Sequence, residues 1–73
     1  MNRKSVISSD LRSVGYDEEK QMLEIEFHDG RIYCYSKVPP IIHEKLMKAN
    51  SHGTYFSHEI RNHPERYPYL QLK

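Results

Sequence analysis

The stretch that most restricts how this chain can fold is Met22–Val38, MLEIEFHDGRIYCYSKV. Leu23, Ile25 and Phe27 alternate with Glu24, Glu26 and His28, the period of two of a strand with one buried face and one wet face. Ile32, Tyr33, Cys34 and Tyr35 follow, and Asp29-Gly30 between two such runs is a strong hairpin signal. Loop length then decides where the tyrosines point. A two-residue type I′ turn at Asp29-Gly30 pairs Phe27 with Ile32 and Ile25 with Cys34, which leaves Tyr33 and Tyr35 opposite Glu26 and Glu24 on the wet face. A three-residue loop, His28-Asp29-Gly30 with Gly30 in the left-handed region, slips the register by one. Ile25 then pairs with Tyr33 and Leu23 with Tyr35, and both tyrosines join the buried face. The second arrangement is favoured, because the core of so short a chain needs large aromatic surfaces.

Leu11–Tyr16 reads as a preceding strand, joined to the hairpin by the charged Asp17-Glu18-Glu19-Lys20. Pro39-Pro40 stops the third strand, and Pro40 suits the first turn of a helix. Ile42, Leu46 and Ala49 then form one apolar stripe at i, i+4, i+7, on a helix ending near Asn50. Ser51 is the expected N-cap of a second short helix carrying Phe56 and Ile60, weakened by Gly53 and closed by Pro64. The tail Tyr67–Leu72 reads either as an edge strand or as a packed extended segment. The expected architecture is α+β: one domain over 1–73, a three-stranded antiparallel meander covered on one face by two short helices, with residues 1–4 and 70–73 frayed.

Much chemistry is excluded by what the 73 residues lack. A lone cysteine, Cys34, permits neither an intrachain disulfide nor a Cys-rich zinc site. It reads as a small buried apolar residue rather than a nucleophile. No apolar run approaches the ~18 residues of a membrane span, and no apolar segment follows Met1–Ser5 as in a secretory leader, so the cytoplasm is the expected compartment. His58-Glu59 and His63 are one residue too far apart for the H-E-x-x-H zinc motif. On an α-helix, at about 100° per residue, they point roughly 140° apart. His28 is expected in the turn, and His43 and His52 in solvent or at a helix end. Gly15, Gly30 and Gly53 lie too far apart for a phosphate-binding loop. No metal, cofactor or enzymatic activity is expected.

Net charge is +1, but it is unevenly spread. Residues 1–16 carry +2, residues 17–30 carry −5 and residues 31–73 carry +4. A base-stacking platform of Tyr33 and Tyr35 is disfavoured, since one register sets them among Glu24 and Glu26 and the other buries them. The better candidates for nucleic-acid contact are Lys45, Lys48, Arg61 and Arg66, with Tyr55 as an exposed ring.

The ordered set Ser9, Val14-Gly15-Tyr16-Asp17, Leu23-x-Ile25-x-Phe27, Gly30, Tyr33-x-Tyr35, Val38-Pro39, Leu46, Ser51-x-Gly53-x-Tyr55-Phe56 and Ile60-Arg61 resembles the KTSC domain. That module is named after the C-terminal region of some lysyl-tRNA synthetases and also occurs as stand-alone bacterial and phage proteins. The resemblance covers about residues 5–67, and its central signature is Tyr33-Cys34-Tyr35. It implies a small binding module for which RNA binding has been suggested, and no catalytic residues. A more basic run is expected after Tyr55-Phe56 than the Ser57-His58-Glu59 found here. Two functions follow as expectations. One is weak RNA binding through the mildly basic helical face. The other is a protein-interaction adaptor acting through a sheet edge or the Tyr67–Tyr69 segment. Oligomeric state is left open, since an uncovered edge strand can pair with its own copy.

Overall fold

A computed structural model describes residues 2–73. Five antiparallel strands run in chain order across one sheet: β1 (Arg3–Ser5), β2 (Leu11–Asp17), β3 (Met22–Phe27), β4 (Ile32–Tyr35) and β5 (Tyr69–Gln71). Between β4 and β5 come α1 (Pro40–Lys48) and α2 (His52–Phe56), the latter continued by a wide π turn over Ser57–Arg61. The α+β class holds, but the sheet has five strands where the sequence suggests three. The expected meander is its centre; β1 adds an unexpected edge strand near the N-terminus, and β5 makes the tail the edge strand that was one of its two readings. Each added strand is three residues long and exposed throughout, so neither carries the buried alternation by which strands are recognised.

The central hairpin takes the three-residue loop. Gly30 has φ +95°, in the left-handed region that favours glycine. Its N–H donates to the Phe27 carbonyl at 3.0 Å, and the Phe27 N–H donates to the Arg31 carbonyl at 2.9 Å. Ile25 therefore faces Tyr33 and Leu23 faces Tyr35. Tyr35 is 3% exposed and Tyr33 half-buried, so the register that supplies aromatic volume to the core is the one adopted.

That core lies between the sheet and the helices. Leu46 of α1, Phe56 of α2 and Ile60 of the π turn pack against Leu11, Val14, Leu23, Ile25 and Tyr35, all buried. Pro40 opens α1 as its first residue, and the ring of His52 caps the far end. Its Nδ1 lies 2.8 Å from the Leu46 carbonyl, an oxygen that can only accept, so this nitrogen donates. Ser51 caps α2 by accepting the Thr54 N–H at 3.2 Å. Gly53 has a packing reason: a Cβ there would lie 3.0 Å from Asp10 Oδ2 and 3.3 Å from Ser8 Oγ. Its absence lets the Ser8–Asp10 loop lie against α2. The π turn is marked by the Asn62 N–H bonding the Ser57 carbonyl at 3.2 Å, an i to i+5 bond. The α-helical angle that separates His58 from His63 does not describe this segment. Among the described residues no three His, Cys, Asp or Glu side chains converge on a metal site.

The sheet's other face carries a polar network. Arg3 reaches from β1 to pair with Glu24 and donates Nε–H to Ser13 Oγ at 3.1 Å. Ser13 in turn donates to Glu26 at 2.8 Å. The acidic arm evident in the sequence is thus partly neutralised by the chain's own first strand. Cys34 lies on this face, 7% exposed. Burial, reinforced by the Glu24 charge, pushes its thiol pKa up and keeps it protonated.

Candidate functional site

Alternation along β4 sends Tyr33 and Tyr35 to the helix side of the sheet, and β5 places Tyr69 beside them, opposite Tyr35. The three rings form a cluster: Tyr33 and Tyr69 centroids lie 5.5 Å apart, Tyr35 and Tyr69 5.7 Å, Tyr33 and Tyr35 6.4 Å. Phe27 meets Tyr33 edge-on at 5.7 Å. Between this cluster and the Arg61–Pro64 segment lies a cleft of about 340 Å³. Two guanidinium groups flank it. Arg31 sits 5.5 Å from the Phe27 centroid and 5.9 Å from that of Tyr33. Arg61 sits 5.1 Å from Phe27 and 5.2 Å from Phe56.

The charges here are available to a ligand. Arg61 is exposed and makes no ion pair among the described residues. Arg31 pairs with Asp29 at 2.7 Å, with both side chains at least half exposed. Such a pair is worth little in water and exchanges readily for a stronger anion. Burial raises the Tyr35 phenol pKa, opposed by the Arg61 charge, so the hydroxyl stays protonated at neutral pH. Tyr69 is 55% exposed and offers a ring face. Aromatic walls with flanking guanidiniums can hold a planar ring joined to an anion.

Of the five residues expected to contact nucleic acid, Arg61 alone lines this cleft. Lys45 and Lys48 stand exposed in the last turn of α1, and Lys48 pairs with Glu44 at 3.0 Å. Arg66 is exposed in the turn before the buried Tyr67. Tyr55 is half-buried and packs against the core, so it is not the free ring anticipated. Sequence reasoning passes over Arg31 and names Tyr69 only within the Tyr67–Tyr69 segment of the adaptor reading, not as part of an aromatic cleft. Arg31 was legible as the residue after a three-residue loop. Tyr69 becomes legible only once the tail is taken as a strand.

A second groove, of about 570 Å³, opens between α1 and the β1–β2 edge. There His43 stacks on Tyr16, with centroids 4.4 Å apart and planes 10° from parallel. Tyr16 donates its hydroxyl to the Val38 carbonyl at 2.5 Å. His43 thus belongs to a packed aromatic pair rather than to solvent or a helix end. Burial, and secondarily Lys4, lowers its pKa. A depressed histidine binds fewer protons folded than unfolded, so its stabilising share is whole above the unfolded pKa of about 6.5 and is lost as pH falls from there through the folded value. Urea melts across that window should show declining stability in the parent, with His43→Gln less steep. The carboxylates of Asp29 and Glu65, also lowered, act only at more acid pH. Equal slopes for parent and variant would contradict the assignment.

A five-stranded antiparallel sheet with helices on one face and an arginine-flanked aromatic cleft define a compact α+β domain. The KTSC domain family profile matches residues 7–67, and the chain belongs to that family. It is 42% identical over 72 residues to an uncharacterized protein of Stutzerimonas stutzeri, covering 99% of both chains. It is 40% identical over 51 residues to a lysine–tRNA ligase of Nostoc punctiforme, covering 70% of this chain but only 9% of the ligase. A crystal structure of a KTSC domain protein from Yersinia pestis superposes with a TM-score of 0.88 at 34% identity, covering 99% of this chain and 97% of that one.

Proposed function

We propose that this KTSC domain is a non-catalytic binding module of the cytoplasm that holds single-stranded RNA weakly in the tyrosine cleft. A base lies against Tyr69 and Tyr33, and the adjoining phosphates meet Arg31 and Arg61. The observation that carries this is the convergence of exposed ring surface and two guanidiniums in one cleft. Lys45, Lys48 and Arg66 stand apart from it and add a diffuse positive field that steers a polyanion. The presence of a matching segment within lysine–tRNA ligases supports the choice of ligand.

The test is an NMR titration of labelled protein with short single-stranded RNA at low and moderate salt. Shifts should centre on Arg31, Tyr33, Arg61 and Tyr69 and shrink as salt rises. Shifts confined to α1 around Lys45 and Lys48 would move the contact to the helical face. An unchanged spectrum would remove RNA as the ligand and leave the adaptor reading, narrowed to the β5 edge because Tyr67 is buried.

A further inference from the structure

The two edges of the sheet are protected very differently. β1 presents Arg3 and Lys4, charges that discourage pairing with another strand. β5 presents Tyr69, Leu70 and, just beyond it, Leu72, at 55%, 66% and 51% exposure. These are three of the five large hydrophobic residues left exposed among the described residues. No charge interrupts the strand before Lys73.

The backbone of β5 is half used. The Leu72 N–H donates to the Ile32 carbonyl at 2.7 Å, and the Ser36 N–H donates to the Pro68 carbonyl at 2.8 Å. The Pro68 carbonyl and the Leu72 N–H therefore turn toward β4, with Leu70 between them in the same orientation, and beyond the strand Lys73 also meets Ile32, accepting its N–H at 3.0 Å. By the alternation of antiparallel ladders, the N–H and C=O of Tyr69 and Gln71 point away from it. Their spacing is self-complementary about Leu70. If a second β5 lies antiparallel with Leu70 on the twofold axis, Tyr69 of each copy faces Gln71 of the other, and each such pair exchanges two hydrogen bonds.

We infer that β5 is a self-pairing edge through which two copies of this chain join their sheets. The two Leu70 side chains meet across the axis on the face away from the helices, flanked by Leu72. On the helix side the two Tyr69 residues fall in diagonal positions, about 7–8 Å apart. The two tyrosine clefts then run together as one trough, with Gln71 of the second copy beside Tyr69 and the arginine pairs toward its two ends. A contact along three residues covers less than the roughly 1,200 Å² of a tight complex. The dimer is accordingly concentration-dependent, half-formed between about 10 µM and about 1 mM. This inference concerns the protein alone and stands whether or not RNA is the ligand.

Sedimentation equilibrium of the full chain, without RNA, tests it. The mass should rise from 8.8 kDa toward twice that value across the range. Gln71→Pro removes a backbone donor that the chain itself does not use, and Leu70→Lys sets two like charges on the axis. Each should weaken self-association at least tenfold while leaving the far-UV circular dichroism unchanged. A monomer throughout, or a dimer that either variant leaves intact, would overturn the proposal. Should a variant lose its fold, Leu70→Cys in a Cys34→Ser background decides. Facing residues of an antiparallel pair lie within disulfide reach, so mild oxidation should give an interchain disulfide, and its absence overturns the pairing.

Discussion

Tyr35→Ala should cost about 3 kcal/mol or more of folding stability, the loss typical of truncating a buried aromatic. Tyr35 is 3% exposed and packs edge-on against Phe56 at 5.3 Å, and it pairs across the strand with Leu23, which is fully buried. On its core side little can collapse into the vacated space, while its other side lines the cleft beside Tyr33 and Tyr69. The helix-side neighbour is Phe56 at 1% exposure, and the sheet-side neighbours are held by backbone ladders. For a domain this short, total stability is of order 4–11 kcal/mol, so a loss of about 3 kcal/mol removes between about a quarter and three-quarters of it. Tyr33→Ala should cost clearly less, because Tyr33 remains half-buried. Urea denaturation of the two variants beside the parent checks both, with the shift read in the midpoint at unchanged slope. A Tyr35→Ala change within about 0.5 kcal/mol would place the ring on the surface and contradict the register.

The same hairpin shows what the sequence made legible. Alternation from Leu23 to Phe27 and the Asp29-Gly30 turn identify two strands, but they leave the register double-valued. A volume argument resolves it, because only one register sends Tyr35 inward. The first helix was equally readable from Pro39-Pro40 and the spacing of Ile42 and Leu46. β1 was not, since a three-residue strand with every side chain exposed leaves no periodic trace, and for the same reason β5 was only one of two readings of the tail, an edge strand or a packed extended segment. What depends on those edges was hidden with them. Arg3 neutralises Glu24 only because β1 lies two strands from β3. Tyr69 meets Tyr33 only because β5 closes the far side. Arg61 reaches Phe27 from the end of a π turn, whose i to i+5 bond has no sequence period of its own at this length. The Tyr33-x-Tyr35 pair was therefore visible while the cleft around it was not.

Reversing both cleft arginines, Arg31→Glu with Arg61→Glu, should lower affinity for single-stranded RNA at least tenfold at low salt. Its diagnostic effect is on the salt dependence. Each phosphate released from a single strand lowers the slope of log K against log salt by about 0.7, so losing two contacts should flatten the plot by about twice that. Tyr69→Ala should behave in the opposite way, with affinity lost by the ~1–3 kcal/mol of one stacked base and the slope nearly kept. Arg61 also lies over Phe27 and Phe56, a contact worth about 0.5–1 kcal/mol. The double variant will consequently be slightly less stable, but partial unfolding reduces the active fraction without altering the slope of the folded remainder. Lys45→Glu with Lys48→Glu, one of them already paired to Glu44, should change affinity less than the cleft pair through the general field. Fluorescence anisotropy with a labelled oligonucleotide over a salt series separates these signatures. A slope unchanged by the arginine reversal would show that no phosphate is held in the cleft, and a slope lowered only by the lysine pair would assign the phosphates to α1.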